Sequence, residues 1–106
     1  MIAQTPPLRE FKAWAVERFG ARLVAMKLFG SRARGDAHED SDWDVLVVVE
    51  DLTGAEAREI AFFCGDLMTK YDVLVSALAL SRDRHEELLG RERRIALEIE
   101  REGIPL

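Results

Sequence analysis

The sequence predicts a small α/β sandwich in which helices cover one sheet. Apolar residues alternate between helical and strand-like spacing, and the segments follow the order α-β-β-α-β-α. The 106 residues are enough for one hydrophobic core. Apolar residues make up 48% of the chain and charged residues 33%, a balance that excludes disorder as the dominant state. Residues 1–106 are therefore predicted to form a single domain.

The first predicted element is a helix over about residues 7–19. Pro6 and Pro7 are suited to a helix start, and Gly20 supplies a stop. Between them, apolar residues recur at helical spacing and should face the core. They are Leu8, Phe11, Ala15 and Phe19.

Two buried strands are predicted next. Residues 23–29, "LVAMKLF", mix alternation with continuous apolarity, as in a strand covered on both faces, and they end at Gly30. Residues 32–41 are polar and aperiodic, which predicts a loop. Residues 43–49, "WDVLVVV", are rich in β-branched side chains and predict the second strand.

The second half is predicted to contain a helix, a strand and a charged helical region. Thr53 and Glu56 have the spacing of a capping box, and an apolar stripe follows them. Residues 71–80 alternate as a third strand, and Ser81 is suited to cap a C-terminal helical region with a break at Gly90. Its predicted inward-facing residues are Leu88, Ile95 and Ile99.

Charge and cysteine content narrow the function classes. The net charge of −5 argues against direct binding of nucleic acid, which normally needs a basic face. Cys64 is the only cysteine, so internal disulfides and cysteine zinc sites are excluded. The sequence lacks a signal-peptide pattern and an apolar stretch of about 20 residues, which predicts a cytoplasmic protein without membrane contact.

Asp42 and Asp44 stand at the opening of the predicted second strand. Side chains two residues apart on a strand point the same way, with about 6–7 Å between their Cα atoms. Mg²⁺ is commonly held by one or two carboxylates together with substrate phosphates. The pair therefore predicts a Mg²⁺ site, the alternative being that "HEDSDWD" is a solvated acidic loop that runs into a strand.

Gly30 and Ser31 follow the first strand directly. A glycine allows close approach of a ligand, and the serine hydroxyl can bond phosphate oxygens. Arg32 and Arg34 lie within reach of the same phosphates. A plain turn is the alternative for Gly-Ser alone, whereas the acidic pair ten residues later makes the combination more specific for a nucleotide site.

This combination, Gly30-Ser31 and then Asp42-Trp43-Asp44, resembles the signature of the polymerase-β-like nucleotidyltransferases. The greatest similarity is to the minimal nucleotidyltransferases, the antitoxin partners of HEPN-domain toxins, and it extends over nearly the whole chain. The resemblance implies a polymerase-β palm-like fold, with a mixed sheet of three or slightly more strands covered by helices. It also implies that Asp42 and Asp44 bind metal and that Gly30 and Ser31 hold phosphates.

The resemblance implies two further site residues. Arg34 matches an arginine that often precedes the loop glycine in this family. The family's third carboxylate lies on the strand after the next helix, where Asp72 is the candidate. Asp72 could accept the proton of an attacking hydroxyl and help to bind the second metal ion, and the alternative is a polar residue that opens a strand.

The expected function is therefore metal-dependent nucleotidyl transfer. Two Mg²⁺ ions and ATP are the implied cofactor and substrate, and the implied acceptor is a tyrosine of a cognate HEPN RNase toxin, silenced by the added AMP. Two alternatives are open: an antitoxin that neutralises its toxin by binding alone, and a small-molecule nucleotidyltransferase, which usually needs a further substrate domain. A C-terminal group of arginines could meet an acidic partner. They are Arg82, Arg84, Arg91, Arg93 and Arg94.

Overall fold

The chain folds into a four-stranded mixed sheet with helices on both faces, in a computed structural model that describes residues 5–38 and 41–106. The helices are α1 (Pro6–Phe19), α2 (Ser31–Arg34), α3 (Gly54–Tyr71), α4 (Arg82–Gly90) and α5 (Arg94–Glu102). The strands are β1 (Leu23–Phe29), β2 (Trp43–Val49), β3 (Val75–Ser81) and β4 (Ile104–Pro105). The predicted α/β fold is confirmed.

The sheet has the strand order β3-β2-β1-β4. β1 pairs antiparallel with both β2 and β4, whereas β2 and β3 run parallel. The parallel pair is possible because α3 carries the chain back between β2 and β3. This arrangement puts β2, the strand with the predicted acidic pair, inside the sheet between β1 and β3.

The main core lies between one face of the sheet and the helices α1 and α3. All four residues predicted to face inward from the first helix are buried there, and so are Val45, Val47 and Val49 of β2. The capping box of α3 is also present, because Thr53 Oγ1 accepts from the amide of Glu56 and the Glu56 carboxylate accepts from the amide of Thr53. The packed side chains hold the sheet against α1 and α3, and the capping box fixes the start of α3.

A second, smaller core lies on the opposite face. Leu46 and Val48 of β2 meet Ile99 of α5 there, with Leu78 and Leu80 of β3 packed against them. This second face matters for function because β2 side chains alternate, so the face that holds Leu46 and Val48 also holds Asp44.

Two boundaries and the burial of one residue differ from the predictions. Residues 32–34 of the predicted loop belong to the short helix α2. This helix has only four residues, too few to produce a helical pattern in the sequence. The third strand starts at Val75 and not at residue 71, because α3 continues to Tyr71. Ile95, predicted to face inward, is 45% exposed, whereas Ile99 is buried as expected.

The C-terminal region divides into α4 and α5 after Gly90, as predicted. Its arginines are less available than the sequence suggests. Four of the five are ion-paired with glutamates: Arg82 with Glu50 and Glu86, Arg84 and Arg91 with Glu87, and Arg94 with Glu98. Among the residues that the structure describes, none of the helices is long and apolar enough to span a membrane.

Candidate active site

The two predicted metal-binding aspartates lie at the entry of β2. Asp44 is the second residue of the strand and Asp42 immediately precedes it. Pairing starts at this point, because the Trp43 amide donates to the carbonyl of Leu74 at 2.8 Å. Both carboxylates are half-buried at the end of the sheet, so a ligand can reach them from solvent.

Asp44 has a raised pKa, and the causes identify its surroundings. Burial contributes most, the negative charge of Asp42 raises the pKa further, and Arg34 opposes both. The influence of Asp42 on Asp44 means that the two carboxylates are close enough to interact. The structure therefore brings the predicted pair together in a place where an added cation would relieve repulsion.

Gly30 is fitted against the Asp44 carboxylate. It has φ of 76° and ψ of −158°, and a Cβ at this position would lie 2.5 Å from Asp44 Oδ2. Both the backbone conformation and this contact exclude a side chain. Register explains the proximity, because Phe29 is the β1 partner of Asp44 and Gly30 is the next residue along.

Ser31 begins α2 directly after this glycine and is half-buried. The carbonyl of Gly30 accepts from the amides of Ala33 and Arg34, both at 3.1 Å, which closes the first turn of α2. The predicted phosphate-binding residues Gly30 and Ser31 therefore lie beside Asp44 on a tightly turned segment.

The two arginines of α2 have different environments. Arg32 donates to the carbonyl of Ser41 and stacks on the Trp43 ring, with its guanidinium carbon 4.3 Å from the ring centroid. These contacts join α2 to the start of β2. Arg34 instead turns toward α5, with Nη1 3.7 Å from Glu102 Oε2 and Nε 3.3 Å from Asp36 Oδ2.

A pocket of about 120 Å³ opens beside Gly30. Its wall is formed by Phe29 at the end of β1, the following Gly30, and Arg34 of α2. Four side chains of α5 complete the wall, and Glu98 and Glu102 are two of them. The pocket places an apolar surface, one guanidinium and two carboxylates next to the residues predicted to hold nucleotide.

Asp72 is not brought into this group. It caps the C-terminus of α3 in the left-handed conformation, with φ of 55°, is exposed, and donates its amide to the carbonyl of Met68. Within residues 5–38 and 41–106, no three His, Cys, Asp or Glu side chains are grouped so that they could hold one metal ion. The expectation that Asp72 lies on the third strand is wrong, because the alternating pattern begins before the helix has ended.

Residues 8–104 match the model of the nucleotidyltransferase domain family. The chain belongs to this family. The match includes Gly30, Ser31, Asp42 and Asp44, and it agrees with the resemblance inferred from those residues.

Two relatives of this nucleotidyltransferase domain come from Methanocaldococcus jannaschii. One is named "Putative protein adenylyltransferase MJ0141" and is 38% identical over 72 residues, which is 67% of this chain and 73% of the relative. The other, "Putative protein adenylyltransferase MJ0604", is 32% identical over 85 residues, or 80% of this chain and 77% of the relative.

Solved structures share the fold. One described as a "putative minimal nucleotidyltransferase" is 30% identical, has a TM-score of 0.64, and is matched over 99% of this chain and 95% of its own. A toxin-antitoxin crystal structure with AMP-PNP is 20% identical, with a TM-score of 0.58 over 91% of this chain and 69% of that one. This second similarity concerns the fold alone.

Sequence reasoning missed two neighbours of the candidate site residues. Ser76 of β3 is the direct register partner of Asp44, and Glu102 of α5 is the ion-pair partner of Arg34. Strand alternation in the sequence places Ser76 on one face of its strand, yet the register between β2 and β3 depends on tertiary structure. Glu102 lies 68 positions from Arg34, and no local pattern joins the two.

Proposed function

We propose that this protein transfers AMP from ATP to a tyrosine hydroxyl of a cognate HEPN-domain toxin, an RNase that the added AMP silences. The observation that carries the proposal is the placement of Asp42 and Asp44 beside Gly30 and Ser31 at one end of the sheet. The adenylyltransferase names of the relatives and the toxin-antitoxin neighbours support it.

The donor set suits Mg²⁺. Asp42 and Asp44 offer carboxylate oxygens only, and their mutual repulsion favours a cation between them. When bound with ATP, Mg²⁺ would neutralise charge that develops on the phosphates. The carboxylates would hold the two predicted ions, with the remaining ligand positions left to phosphate oxygens and water.

Gly30, Ser31 and Arg34 have the nucleotide-binding roles in this proposal. The absent Gly30 side chain leaves the Asp44 carboxylate unobstructed beside the phosphates, and the Ser31 hydroxyl donates to a phosphate oxygen. Arg34 adds positive charge next to the phosphates once it has moved from Glu102. Arg32, also predicted to bind nucleotide, acts by holding α2 against Ser41 and Trp43 at the start of β2.

The proposed reaction is a displacement at the α-phosphorus of ATP. The tyrosine oxygen forms a bond to this phosphorus, the bond from phosphorus to the bridging oxygen of pyrophosphate breaks, and pyrophosphate leaves. The tyrosine proton goes to a base. The sequence predicts Asp72 as this base, and Asp72→Asn tests the prediction. If the variant transfers AMP at the wild-type rate, the proton is accepted by solvent or by the substrate.

The test uses the protein with its cognate toxin, expressed together and purified. Incubation with ATP and Mg²⁺ is expected to add one or more AMP units to the toxin, measured by intact-protein mass spectrometry, and to stop its RNase activity. EDTA should prevent both effects. Asp42→Asn and Asp44→Asn should each lower transfer by at least about 100-fold, because each removes a metal ligand.

Two outcomes would favour the alternatives. If the toxin is neutralised without added mass, and equally by both aspartate variants, the protein is an antitoxin that acts by binding. If AMP appears only on small hydroxyl compounds, the acceptor is not a protein.

We place the reaction in the cytoplasm, where ATP and reduced thiols such as that of the buried Cys64 are maintained.

A further inference from the structure

Ser76 lies next to Asp44 on the neighbouring parallel strand. β2 and β3 are paired in register, so that Asp44 matches Ser76, Leu46 matches Leu78 and Val48 matches Leu80. The two inner pairs are packed together in the smaller core, which fixes the face on which all three lie. On this face the pairs further along the two strands are apolar, and the pair formed by Asp44 and Ser76 is polar.

On its other side Asp44 is paired with Phe29 of β1, whose side chain has no oxygen that could bind a cation. Ser76 is thus the adjacent-strand residue that offers a donor oxygen. Its side chain is half-buried, and within the described part of the chain its hydroxyl has no side-chain hydrogen bond to protein. The Ser76 hydroxyl can therefore rotate toward a cation bound at Asp44.

We propose that Ser76 Oγ is a third oxygen donor of the cation site formed by Asp42 and Asp44, and that its neutrality makes cation binding depend on nucleotide. This inference rests on the metal-binding role in the proposed function. Two carboxylates and one neutral hydroxyl supply only two negative charges for the two predicted divalent cations, and nucleotide phosphates supply the remaining negative charge. A carboxylate at position 76 would supply part of that remaining charge permanently.

The experiment measures Mn²⁺ affinity by calorimetric titration, with and without a non-hydrolysable ATP analogue. Ser76→Asp is expected to tighten Mn²⁺ binding without nucleotide by at least about tenfold, because it adds a carboxylate beside Asp44. Ser76→Ala is expected to weaken Mn²⁺ binding with the analogue by about threefold or more.

Ser81→Asp is the matched control. It adds the same charge to the same strand at the opposite end, and aspartate can replace serine as the N-cap of α4. Mn²⁺ affinity of this variant should equal that of the wild type. A gain as large as that of Ser76→Asp would mean that net charge, and not position, governs the effect, which overturns the inference.

The inference also fails if folded Ser76→Asp and Ser76→Ala both bind Mn²⁺ as the wild type does. Asp44→Asn distinguishes that failure from failure of the proposed function. If Asp44→Asn abolishes Mn²⁺ binding while the Ser76 variants change nothing, the aspartate site stands and Ser76 has no part in it. If Asp44→Asn also has no effect, the metal site itself is wrong.

Discussion

At the scale of single residues, Gly30 connects local backbone conformation to the chemistry of the site. Its backbone has a conformation that is essentially restricted to glycine, and the missing side chain is the space that the Asp44 carboxylate occupies. Gly30→Ala should therefore lower nucleotidyl transfer by at least about tenfold and lower thermal stability, by about 1–3 kcal/mol for the strained backbone. Transfer assays and thermal unfolding measure the two effects.

Gly35→Ala is the control for the backbone contribution. Gly35 also has a positive φ, 81°, but in the described chain nothing lies within 4 Å of the position its Cβ would take. This variant should lose stability and keep most of its transfer activity. Equal losses of activity in both variants would mean that the contact with Asp44 is unimportant.

Asp44 should make the stability of the protein depend on pH. Its pKa is raised in the folded protein, so the charged carboxylate destabilises the fold at neutral pH, and this cost fades as the pH falls through the raised pKa. Asp44→Asn should therefore have a higher melting temperature than the wild type at neutral pH without divalent cations. The difference should shrink as the pH falls below the raised pKa toward the ordinary value of an aspartate.

Asp66→Asn provides the same change of charge on the exposed surface of α3 and should not reproduce this stabilisation. Added Mg²⁺ with nucleotide should reverse the order for Asp44, since only the wild type gains stability from binding a cation. An Asp44→Asn protein that is less stable than the wild type at neutral pH without cations would contradict the prediction.

At the scale of secondary-structure elements, α5 controls the surroundings of Arg34. Glu102 holds the guanidinium at 3.7 Å, and the arginine is 44% exposed, so the pair is weak and can exchange for a phosphate. Glu102→Gln should improve apparent ATP affinity by up to about fivefold, because an exposed pair contributes at most about 1 kcal/mol. The turnover number should change less than KM.

Glu92→Gln removes one negative charge from the turn before α5 and serves as the control. It should leave KM for ATP within about twofold of the wild type, apart from a small general effect of charge. If Glu102→Gln raises KM instead, Glu102 orients Arg34 toward the nucleotide and does not compete with it.

Some features of the helices and strands can be predicted from the sequence, and others cannot. The capping box at Thr53 and Glu56 was predictable because both partners lie within one turn of helix, and Glu56 is further fixed by Arg22, which lowers its pKa to about 2. The position of Asp72 was not predictable. Alternation continued through the helix end, so only the tertiary structure separates the α3 cap from β3.

The site divides in the same way. Gly30, Ser31, Asp42 and Asp44 are near one another in sequence, so strand spacing and the family resemblance are enough to predict them as one candidate site. Ser76, the proposed third donor, lies beside Asp44 only because of the parallel register of β2 and β3, which the sequence does not encode locally. Residues contributed by a neighbouring strand or a distant helix are therefore the ones that a motif omits.

At the scale of the whole molecule, charge distribution bears on where a partner docks. The net charge of −5 is spread over a surface on which the C-terminal arginines are largely balanced by glutamates. Arg84 and Arg91 both contact Glu87 Oε1, at 3.1 and 3.2 Å. The arginine-rich surface predicted from sequence is thus a mixed-charge helix face, typical of a solvated surface.

The double variant Arg84→Ala/Arg91→Ala should therefore bind the cognate toxin with a dissociation constant within about twofold of the wild type, because exposed pairs of this kind contribute little. Surface plasmon resonance at low and high salt measures this. Arg93→Glu, which reverses a charge on the same segment, extends the test to the arginine at the N-cap of α5. A loss of more than about tenfold in either variant, largest at low salt, would restore the arginines as the docking surface, since attraction to an acidic partner is screened by salt. Unchanged binding would instead direct the search for the interface to the end of the sheet that holds Asp42 and Asp44, where the proposed function puts the toxin's tyrosine.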